Sequence, residues 1–418
     1  MKNAREEALK ILYRVEYEGA YPNIAIKDAL KDGFSVQDKA FVTNMVYGVI
    51  NRKLTLDYII AQKSKIKLKK LSKYILLILR MGIYQLEYMD KIPESAAVNE
   101  SVKLAKRYGH SASSGYVNGI LRNVAKNGFE YPKDKIERLS VEFSFPMWIC
   151  QKWVKEFGYE FCSELMHSFG EEPDLILRPN LLKINAQELA ERLTQKGINA
   201  KTGENCVECS GFDIANDSLY LEGYYTVQDK AAMAAAIALA PQSGETVIDM
   251  CAAPGGKTTH IAELMQNQGK VLAFDIYEHK VELIYKNAQR LGLDIISSQL
   301  KDASVLDEAL IESADRVLCD VPCSGTGILR RKPDIKWNRK EDDSFYQIQK
   351  KILENASKYL KKGGEIVYST CSIEKEENEE VTNKFLAENE NFQRLYEKTY
   401  YPNIDGTDGF YICKMKKN

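Results

Sequence analysis

The stretch that decides the fold of the C-terminal half is Thr246-Val247-Ile248-Asp249-Met250, which runs directly into Cys251-Ala252-Ala253-Pro254-Gly255-Gly256-Lys257-Thr258. Its first part is a short apolar run typical of a buried strand, and its second part is a loop of small residues that leads into a helical pattern. Small residues allow the backbone to approach a ligand closely before the helix starts. The spacing matches neither G-x-x-x-x-G-K-[ST] nor G-x-G-x-x-G, which argues against a P-loop and against a dinucleotide fingerprint.

From this stretch onward, short apolar segments alternate with helical segments. The predicted strands are Thr246–Met250, Lys270–Ile276, Ile295–Leu300, Asp315–Asp320 and Glu365–Ser369. Strands that alternate with helices predict a doubly wound, parallel α/β sheet of the Rossmann-like kind. In such a sheet, ligands bind outside the carboxyl ends of the strands, so the residues that follow these strands are the candidate site residues.

Acidic residues stand at the ends of two predicted strands. Asp275 ends the second strand, 26 residues after Asp249, where a carboxylate can bind both hydroxyl groups of a ribose. Asp302 follows the third strand and could receive an adenine amino group. With the loop of small residues, this set fits a cofactor that carries a nucleoside but no pyrophosphate, and S-adenosylmethionine is the natural candidate. Ordinary tight packing is the alternative explanation of each single feature.

Two cysteines follow adjacent predicted strands and therefore lie at the same sheet edge. The fourth strand ends in Asp320-Val321-Pro322-Cys323, and the fifth ends in Tyr368-Ser369-Thr370-Cys371. One such cysteine alone would be better explained as a buried structural thiol. Two thiols beside a carboxylate favour a polar, reactive site.

Two thiols beside a methyl donor fit methylation at carbon 5 of cytosine. Carbon 5 is a poor nucleophile, but thiolate attack at carbon 6 makes an enamine whose carbon 5 can accept a methyl group. Asp320 could hydrogen-bond nitrogen 3, and the second cysteine could assist release of the product. The spacing does not decide which thiol attacks. An amino-group methyltransferase would typically carry Asp/Asn-Pro-Pro-aromatic here, whereas Pro322 is followed by Cys323.

The N-terminal part of the chain differs in pattern and in charge. Helical periodicity predicts an all-helical bundle over residues 1–127, and residues 175–222 predict a small α+β unit. Residues 1–130 carry a net charge of +9, although the whole chain carries −1. Five of the basic residues cluster within eight positions, at Lys63, Lys65, Lys67, Lys69 and Lys70. This excess predicts contact with a polyanion, and a solvated surface without a partner is the alternative.

Three segments resemble the RNA 5-methylcytosine methyltransferases: DMCAAPGGKTT (249–259), DVPCSGTGILRRKPDIKW (320–337) and YSTCSIEKEENEEV (368–381). The N-terminal half is similar to the NusB-like RNA-binding bundle through IPESAAVNESVKLAKRYG (92–109) and VNGILR (117–122). Over nearly its whole length, the chain resembles the Sun/RsmB-type 16S ribosomal RNA (cytosine-C5) methyltransferases. The resemblance implies a NusB-like RNA-binding domain over 1–130, a connector with a small α+β domain over 131–222, and an S-adenosylmethionine-dependent catalytic domain over 223–418.

The resemblance also implies roles for individual residues. The loop Cys251–Lys257 would hold the cofactor, with Asp275 on the ribose, Asp302 near the adenine and Asp320 at the methyl-donor end. Cys371 would be the nucleophile and Cys323 the cysteine that assists release. DNA cytosine methyltransferases use the Pro-Cys of the fourth strand as the nucleophile, so the reverse assignment stays open.

The implied substrate is a cytosine of 16S ribosomal RNA, at a cytosine 967-type site, in naked RNA or in an early subunit assembly. Two alternatives stay open. One is a 5-methylcytosine methyltransferase for transfer RNA or another ribosomal RNA site. The other is an RNA-binding regulator with vestigial catalysis.

Several absences shape the remaining expectations. No apolar run approaches the ~18 residues of a membrane span, and the first residues show no export signal. Nine scattered cysteines then predict reduced thiols in a cytoplasmic protein, and a monomer is the default expectation. Cys206 and Cys209 have the spacing of half a zinc site, but no second pair completes it, so no metal is predicted.

Two charged segments flank the predicted thiol site. Arg330, Arg331, Lys332 and Trp337 could hold phosphates and stack a base, or they could form a basic surface loop with a core tryptophan. The acidic run Glu374–Glu380 predicts a solvated helix start.

Overall fold

The computed structural model describes residues 3–341 and 344–418. The chain divides into two compact units. The first unit extends to Gly170 and includes Lys332–Glu341, and the second comprises Glu171–Arg331 together with the chain from Ser344 onward. The domain limits at 130 and 222 stay predictions.

The first unit is helical, as the periodicity predicts for residues 1–127, and three further helices continue it to Gly170. Its buried apolar side chains recur every three or four residues and share one core, as Leu9 and Leu12 do in the first helix. Serine hydroxyls fix two helix starts, because Ser35 accepts from the backbone N–H of Asp38 and Ser72 accepts from that of Ile75. The helices are α1 (Ala4–Glu18), α2 (Pro22–Ala29), α3 (Val36–Asn51), α4 (Lys53–Lys63), α5 (Lys73–Tyr88), α6 (Glu94–Tyr108), α7 (Ser113–Asn127), α8 (Lys135–Phe143), α9 (Met147–Phe157) and α10 (Tyr159–Ser168).

The segment Lys332–Glu341 packs in this helical unit although it follows the Cys323 loop in sequence. The indole N–H of Trp337 donates to the carbonyl of Ile50 at 2.7 Å, and Lys336 Nζ donates to the backbone carbonyl of Asn51 at 2.8 Å. Burial, with Arg52 adding repulsion, holds the pKa of Lys336 well below its ordinary value. Trp337 packs against the helical core, which decides between its two interpretations in favour of the core tryptophan.

The second unit begins with a small antiparallel sheet of four strands. Its strands are β1 (Leu175–Pro179), β2 (Ala200–Gly203), β3 (Cys206–Cys209) and β4 (Tyr225–Val227), in the spatial order β2-β3-β1-β4. Helix α11 (Ala186–Gln195) connects β1 to β2 and buries Leu189 and Leu193 in the core of this sheet. The α+β character predicted for residues 175–222 is therefore observed.

The larger sheet of the second unit has seven strands in the order β10-β11-β9-β8-β5-β6-β7. The strands are β5 (Thr246–Asp249), β6 (Lys270–Asp275), β7 (Ile296–Leu300), β8 (Ala314–Asp320), β9 (Leu360–Thr370), β10 (Phe392–Tyr400) and β11 (Phe410–Lys417). The remaining helices are α12 (Ser218–Leu221), α13 (Lys230–Leu239), α14 (Gly256–Leu264), α15 (Glu278–Leu291), α16 (Ile335–Asn338, in the first unit), α17 (Tyr346–Tyr359), α18 (Glu379–Glu388) and α19 (Pro402–Asp405).

The five predicted strands, β5 to β9, pair in parallel, which confirms the Rossmann-like prediction. Alternate residues of β5 face opposite cores: Val247 packs in one and Ile248 in the other. The prediction omits β10 and β11, which pair antiparallel with each other and extend the sheet beyond β9. The sheet is therefore mixed, and its parallel part carries the predicted site residues.

Candidate active site

The loop of small residues turns sharply between β5 and α14. Gly255 has φ 101°, a backbone conformation that residues with a Cβ rarely adopt. A Cβ there would lie 3.3 Å from the Cα of Ile284. The backbone N–H of Ala252 donates to the carbonyl of Phe274 at 2.8 Å, which ties the loop to β6. Helix α14 begins at Gly256, directly after the turn, so its N-terminus opens at the sheet edge.

A buried arginine, to which no motif of the sequence points, fixes the first turn of α14. Arg178 of β1 donates to the backbone carbonyl of Gly256 at 2.6 Å and to Thr259 Oγ1 at 3.0 Å. It also forms an ion pair with Glu263 at 2.8 Å, and both side chains are almost fully buried. The small sheet thus contributes one residue that positions the start of this helix.

The two predicted acidic residues lie at the carboxyl ends of β6 and β7. The side chain of Asp275 is buried and accepts from the backbone N–H of Tyr277 at 3.1 Å. Asp302 is exposed and accepts from the backbone N–H of Ser304 at 2.8 Å. Asp302 lines a cavity of about 330 Å³ together with Met250. A larger cavity of about 780 Å³, beside α13 and β10, contains none of the predicted site residues.

The two predicted thiols, Cys323 and Cys371, lie next to each other. Because Asp320 of β8 pairs with Ser369 of β9, the loops that follow these strands leave the same sheet edge. The Sγ atoms of Cys323 and Cys371 lie 3.2 Å apart, and both residues are half-buried. The hydrogen bond with Cys371, reinforced by burial, raises the pKa of Cys323 well above its ordinary value.

A lysine–aspartate pair borders the thiols. Lys257 Nζ lies 2.7 Å from Asp320 Oδ2, and the other oxygen of Asp320 accepts from Ser369 Oγ at 2.9 Å. Burial alone would lower the pKa of Lys257, but the charges of Asp320 and Cys371 raise it above its ordinary value. The ammonium group of Lys257 therefore stays charged beside both the carboxylate and the Cys371 sulfur.

The acidic run after Cys371 differs from its prediction. Glu374 and Glu377 are buried, and α18 begins only at Glu379. Glu377 accepts from the backbone N–H of Ser324 at 3.0 Å, next to Cys323. The prediction of a solvated helix start is wrong for these two residues, because both are buried and precede the helix, and Glu377 is bonded to the loop that carries Cys323.

The arginines that follow the Cys323 loop already have carboxylate partners. Arg331 Nε donates to Asp408 Oδ2 at 2.6 Å, and Arg331 also pairs with Asp229 at 3.1 Å. Arg330 donates to Asp408 at 3.2 Å and is buried. These contacts do not favour a role of the two arginines in holding phosphates.

Three family models match consecutive parts of the chain. A model described as 16S rRNA methyltransferase RsmB/F matches residues 236–416, and the NusB family model matches residues 2–126. A model described as the ferredoxin-like domain of RsmF/B-like methyltransferases matches residues 145–212. The first match covers the seven-stranded sheet and the second covers helices of the first unit, while the third begins at the last two helices of that unit and continues through β1 to β3 of the small sheet.

Relatives match over the full length. A probable ribosomal RNA small subunit methyltransferase B of Bacillus subtilis is 38% identical, with 99% of both chains covered. The chain belongs to the RsmB/F family of 16S rRNA methyltransferases. A relative of the same name in Synechocystis is 35% identical over 100% of both chains. A crystal structure of the protein PH0851 has a TM-score of 0.82 at 26% identity, covering 98% of this chain and 97% of that one.

Membership of the RsmB/F family makes the protein a methyltransferase with S-adenosylmethionine as its cofactor. The residues at the sheet edge fit this molecule. A side chain at the Gly255 turn would crowd Ile284, the buried carboxylate of Asp275 ends β6, and Asp302 lines a cavity at the next strand end. S-adenosylmethionine supplies an electrophilic methyl group when it is bound.

Two further observations concern the described residues, 3–341 and 344–418. Within them, no helix is long and apolar enough to cross a membrane. Nor do His, Cys, Asp and Glu side chains gather there in a group of three that could hold a metal ion.

Proposed function

We propose that this methyltransferase transfers a methyl group to carbon 5 of a cytosine in 16S ribosomal RNA, through a covalent bond between Cys371 and carbon 6. The observation that carries the proposal is the 3.2 Å approach of the Cys323 and Cys371 sulfurs beside Asp320. A methyltransferase that acts on an amino group needs no thiol, whereas a carbon-5 reaction uses one thiol to attack and a second group to help release the product.

In the proposed reaction, the Cys371 thiolate donates an electron pair to carbon 6, and a sulfur–carbon bond forms. The π electrons of the ring move so that carbon 5 becomes nucleophilic, while the ammonium group of the Lys257–Asp320 pair donates a hydrogen bond to nitrogen 3. After carbon 5 has accepted the methyl group, a base removes the carbon 5 proton. The electron pair of that C–H bond restores the ring double bond and expels the Cys371 thiolate. Cys323 assists this release.

Two features favour Cys371 over Cys323 as the nucleophile. The raised pKa of Cys323 keeps it a neutral thiol that can donate a hydrogen bond to its neighbour. The charge of Lys257 interacts with that of Cys371, and a nearby ammonium group stabilises a thiolate. In this arrangement Cys371, not Cys323, has a neighbouring ammonium group that can stabilise a thiolate.

For the cofactor, we propose the roles that the family resemblance implies. The loop Cys251–Lys257 cradles the molecule, Asp275 accepts hydrogen bonds from the ribose hydroxyls, and Asp302 lies near the adenine. Asp320 lies at the methyl-donor end, where it also reaches the cytosine. The target base must be unstacked to enter between Cys371 and the sulfonium.

The N-terminal helices supply the proposed RNA-binding surface. Lys65, Lys67, Lys69 and Lys70 are exposed, and Lys63 is half-buried. We propose that this lysine cluster contacts phosphates of the RNA, and that the substrate is the cytosine 967-type site of 16S ribosomal RNA. The proposal places a monomeric enzyme in the cytoplasm and requires no metal. Two functions compete with this proposal. One is methylation of another ribosomal or transfer RNA cytosine, and the other is RNA binding by a regulator without catalysis.

Covalent trapping tests the proposal. Wild type, Cys323→Ala and Cys371→Ala are incubated with S-adenosylmethionine and unmodified 16S RNA and separated on a denaturing gel. We expect Cys323→Ala to accumulate a protein–RNA adduct and Cys371→Ala to form none. Cys209→Ala, a buried cysteine of the small sheet, is the control and should behave as wild type.

The outcomes separate the competing assignments. An adduct in Cys371→Ala but not in Cys323→Ala would reverse the thiol roles. Adduct formation with transfer RNA instead of 16S RNA would change the substrate. RNA binding without an adduct or methyl transfer in any variant would favour the regulator.

A further inference from the structure

The loop that carries Cys371 is packed against a turn near the end of the chain. The backbone N–H of Gly327 donates to the carbonyl of Cys371 at 3.0 Å, and that of Gly409 donates to the carbonyl of Gly327 at 2.8 Å. A Cβ on Gly327 would lie 1.9 Å from the Gly409 oxygen, and a Cβ on Gly409 would lie 2.7 Å from the Gly327 Cα. The three backbones are therefore in direct contact, with no space for a side chain between them.

The residue before Gly409 anchors this turn in a group of two arginines and two aspartates, which we name the Asp408 cluster (Asp229, Arg330, Arg331, Asp408). Asp408 accepts from Arg331 at 2.6 Å and from Arg330 at 3.2 Å. Its own backbone N–H donates to Asp229 Oδ1 at 3.2 Å, and Asp229 also pairs with Arg331. Asp408 is 4% exposed, so its carboxylate depends on these partners for charge compensation, whereas the Arg331 side chain stays 31% exposed.

The Asp408 cluster connects the two thiol loops. Arg330 and Arg331 continue the loop that begins at Cys323, while Gly409 touches the loop of Cys371 through Gly327. A shift of Asp408 therefore moves the backbone that supports both sulfurs. The sulfur positions matter because a displacement of about 1 Å between reacting groups can lower a rate by about 10²-fold.

We infer that Asp408 and Gly409 are positioning residues for the thiol pair, and that the C-terminal turn holds Cys371 in its attacking position. The inference rests on the proposed function, in which Cys371 attacks the cytosine. Neither residue takes part in the chemistry. They act through the backbone contact from Gly409 to Gly327 and from Gly327 to Cys371.

Gly409→Ala is the sharpest variant, because its added Cβ would meet Gly327 and Ile373 without changing any charge. We expect kcat for methylation to fall by about 10²-fold while KM for S-adenosylmethionine changes by less than about twofold. The alkylation rate of Cys371 by iodoacetamide, followed by mass spectrometry of its peptide, should change as well. Gly211→Ala is the matched control, since Gly211 is exposed and has no atom within 4 Å of its added Cβ.

Asp408→Asn gives a second test that adds no volume. It removes one charge from the Asp408 cluster and should lower kcat in the same direction, with Asp408→Glu restoring part of the loss. Thermal unfolding of every variant reports the folded fraction. If kcat per folded molecule and Cys371 alkylation stay at wild-type values in both Gly409→Ala and Asp408→Asn, the inference is overturned.

The failure of the proposed function would look different. In that case, the wild type would make no 5-methylcytosine in any RNA. The alkylation rates would still report whether Gly409 and Asp408 position Cys371.

Discussion

The carboxylate of Glu377 accepts a hydrogen bond from the backbone N–H of Ser324 at 3.0 Å, and Ser324 is the neighbour of Cys323. Ser324 Oγ also lies 3.1 Å from Ser372 Oγ, next to Cys371. These bonds join the loops after β8 and β9 on the side away from solvent, since Glu377, Ser324 and Ser372 are all buried. The distance between the two thiols is therefore set by a hydrogen-bond network as well as by the strand register.

Removing this carboxylate should loosen the Cys323 loop. Glu377→Ala leaves the buried N–H of Ser324 unpaired, which costs about 1–3 kcal/mol of unfolding free energy. We expect slower release of the product and therefore longer-lived adducts in the trapping assay. The measurement is the adduct lifetime together with denaturant unfolding. Glu380→Ala, at an exposed position of the same run, is the control, and equal effects of both substitutions would contradict the prediction.

The Lys257–Asp320 pair should control formation of the adduct. Lys257→Met removes the ammonium group that pairs with Asp320 at 2.7 Å and stabilises charge on Cys371. Loss of one such electrostatic contact typically lowers kcat by about 10²–10³-fold. Single-turnover formation of the adduct in a Cys323→Ala background measures the effect. Lys270→Met removes an exposed lysine and should leave the rate unchanged, and a wild-type rate in Lys257→Met would exclude this role.

The sequence predicted that the two thiols and the loop Cys251–Lys257 share one sheet edge, because parallel strands place their carboxyl ends at the same edge. Asp320 and Cys323 follow β8, Cys371 follows β9, and their meeting depends only on the adjacency of these strands. The parallel order itself follows from the alternation of strands and helices. Which residues share a sheet edge can therefore be predicted from a single sequence.

Residues whose role depends on a distant partner could not be predicted in this way. The acidic run around Glu377 has the composition of a solvated helix start. Its burial depends on a bond to the backbone N–H of Ser324, which is distant in sequence. Arg178 and Asp408 lie 78 and 77 positions from the partners that explain them, Gly256 and Arg331. Strand β10 was missed because only its first side chain, Phe392, is buried, so its sequence shows no apolar run.

The lysine cluster should supply salt-sensitive affinity for RNA. Four of its members are exposed and can be replaced together by glutamine: Lys65, Lys67, Lys69 and Lys70. If each contacts one phosphate, the slope of log K against log salt should become shallower by about 3 to 4. Filter binding of 16S RNA at several salt concentrations measures this slope.

A control with the same change of charge distinguishes this cluster from a general effect of net charge. Four exposed lysines of the second unit serve for it: Lys270, Lys351, Lys358 and Lys362. Their replacement by glutamine should leave the slope near its wild-type value. Equal slopes for the two fourfold variants would contradict an RNA-binding role of the cluster.

Asp249 should make the stability of the protein depend on pH. Its carboxyl group is 1% exposed, and burial raises its pKa to about 7. An unfolded aspartate loses its proton near pH 4. Between these values the folded protein binds the additional proton, so the free energy of unfolding falls as pH rises.

Asp249→Asn tests this dependence while keeping an oxygen that can accept from Thr258, as Asp249 does at 2.7 Å. From pH 5 to pH 8, the wild type should lose about 3 kcal/mol of unfolding free energy through this group. The loss accumulates over the two pH units between pH 5 and the folded pKa of about 7, at about 1.4 kcal/mol per unit. The asparagine variant should lack this loss, so its stability relative to wild type should rise across the same interval. Urea unfolding at the two pH values gives the difference. Asp294→Asn changes an exposed position and should show the same pH dependence as the wild type. An unchanged pH dependence in Asp249→Asn would show that the carboxyl of Asp249 is not protonated in the folded protein at pH 5.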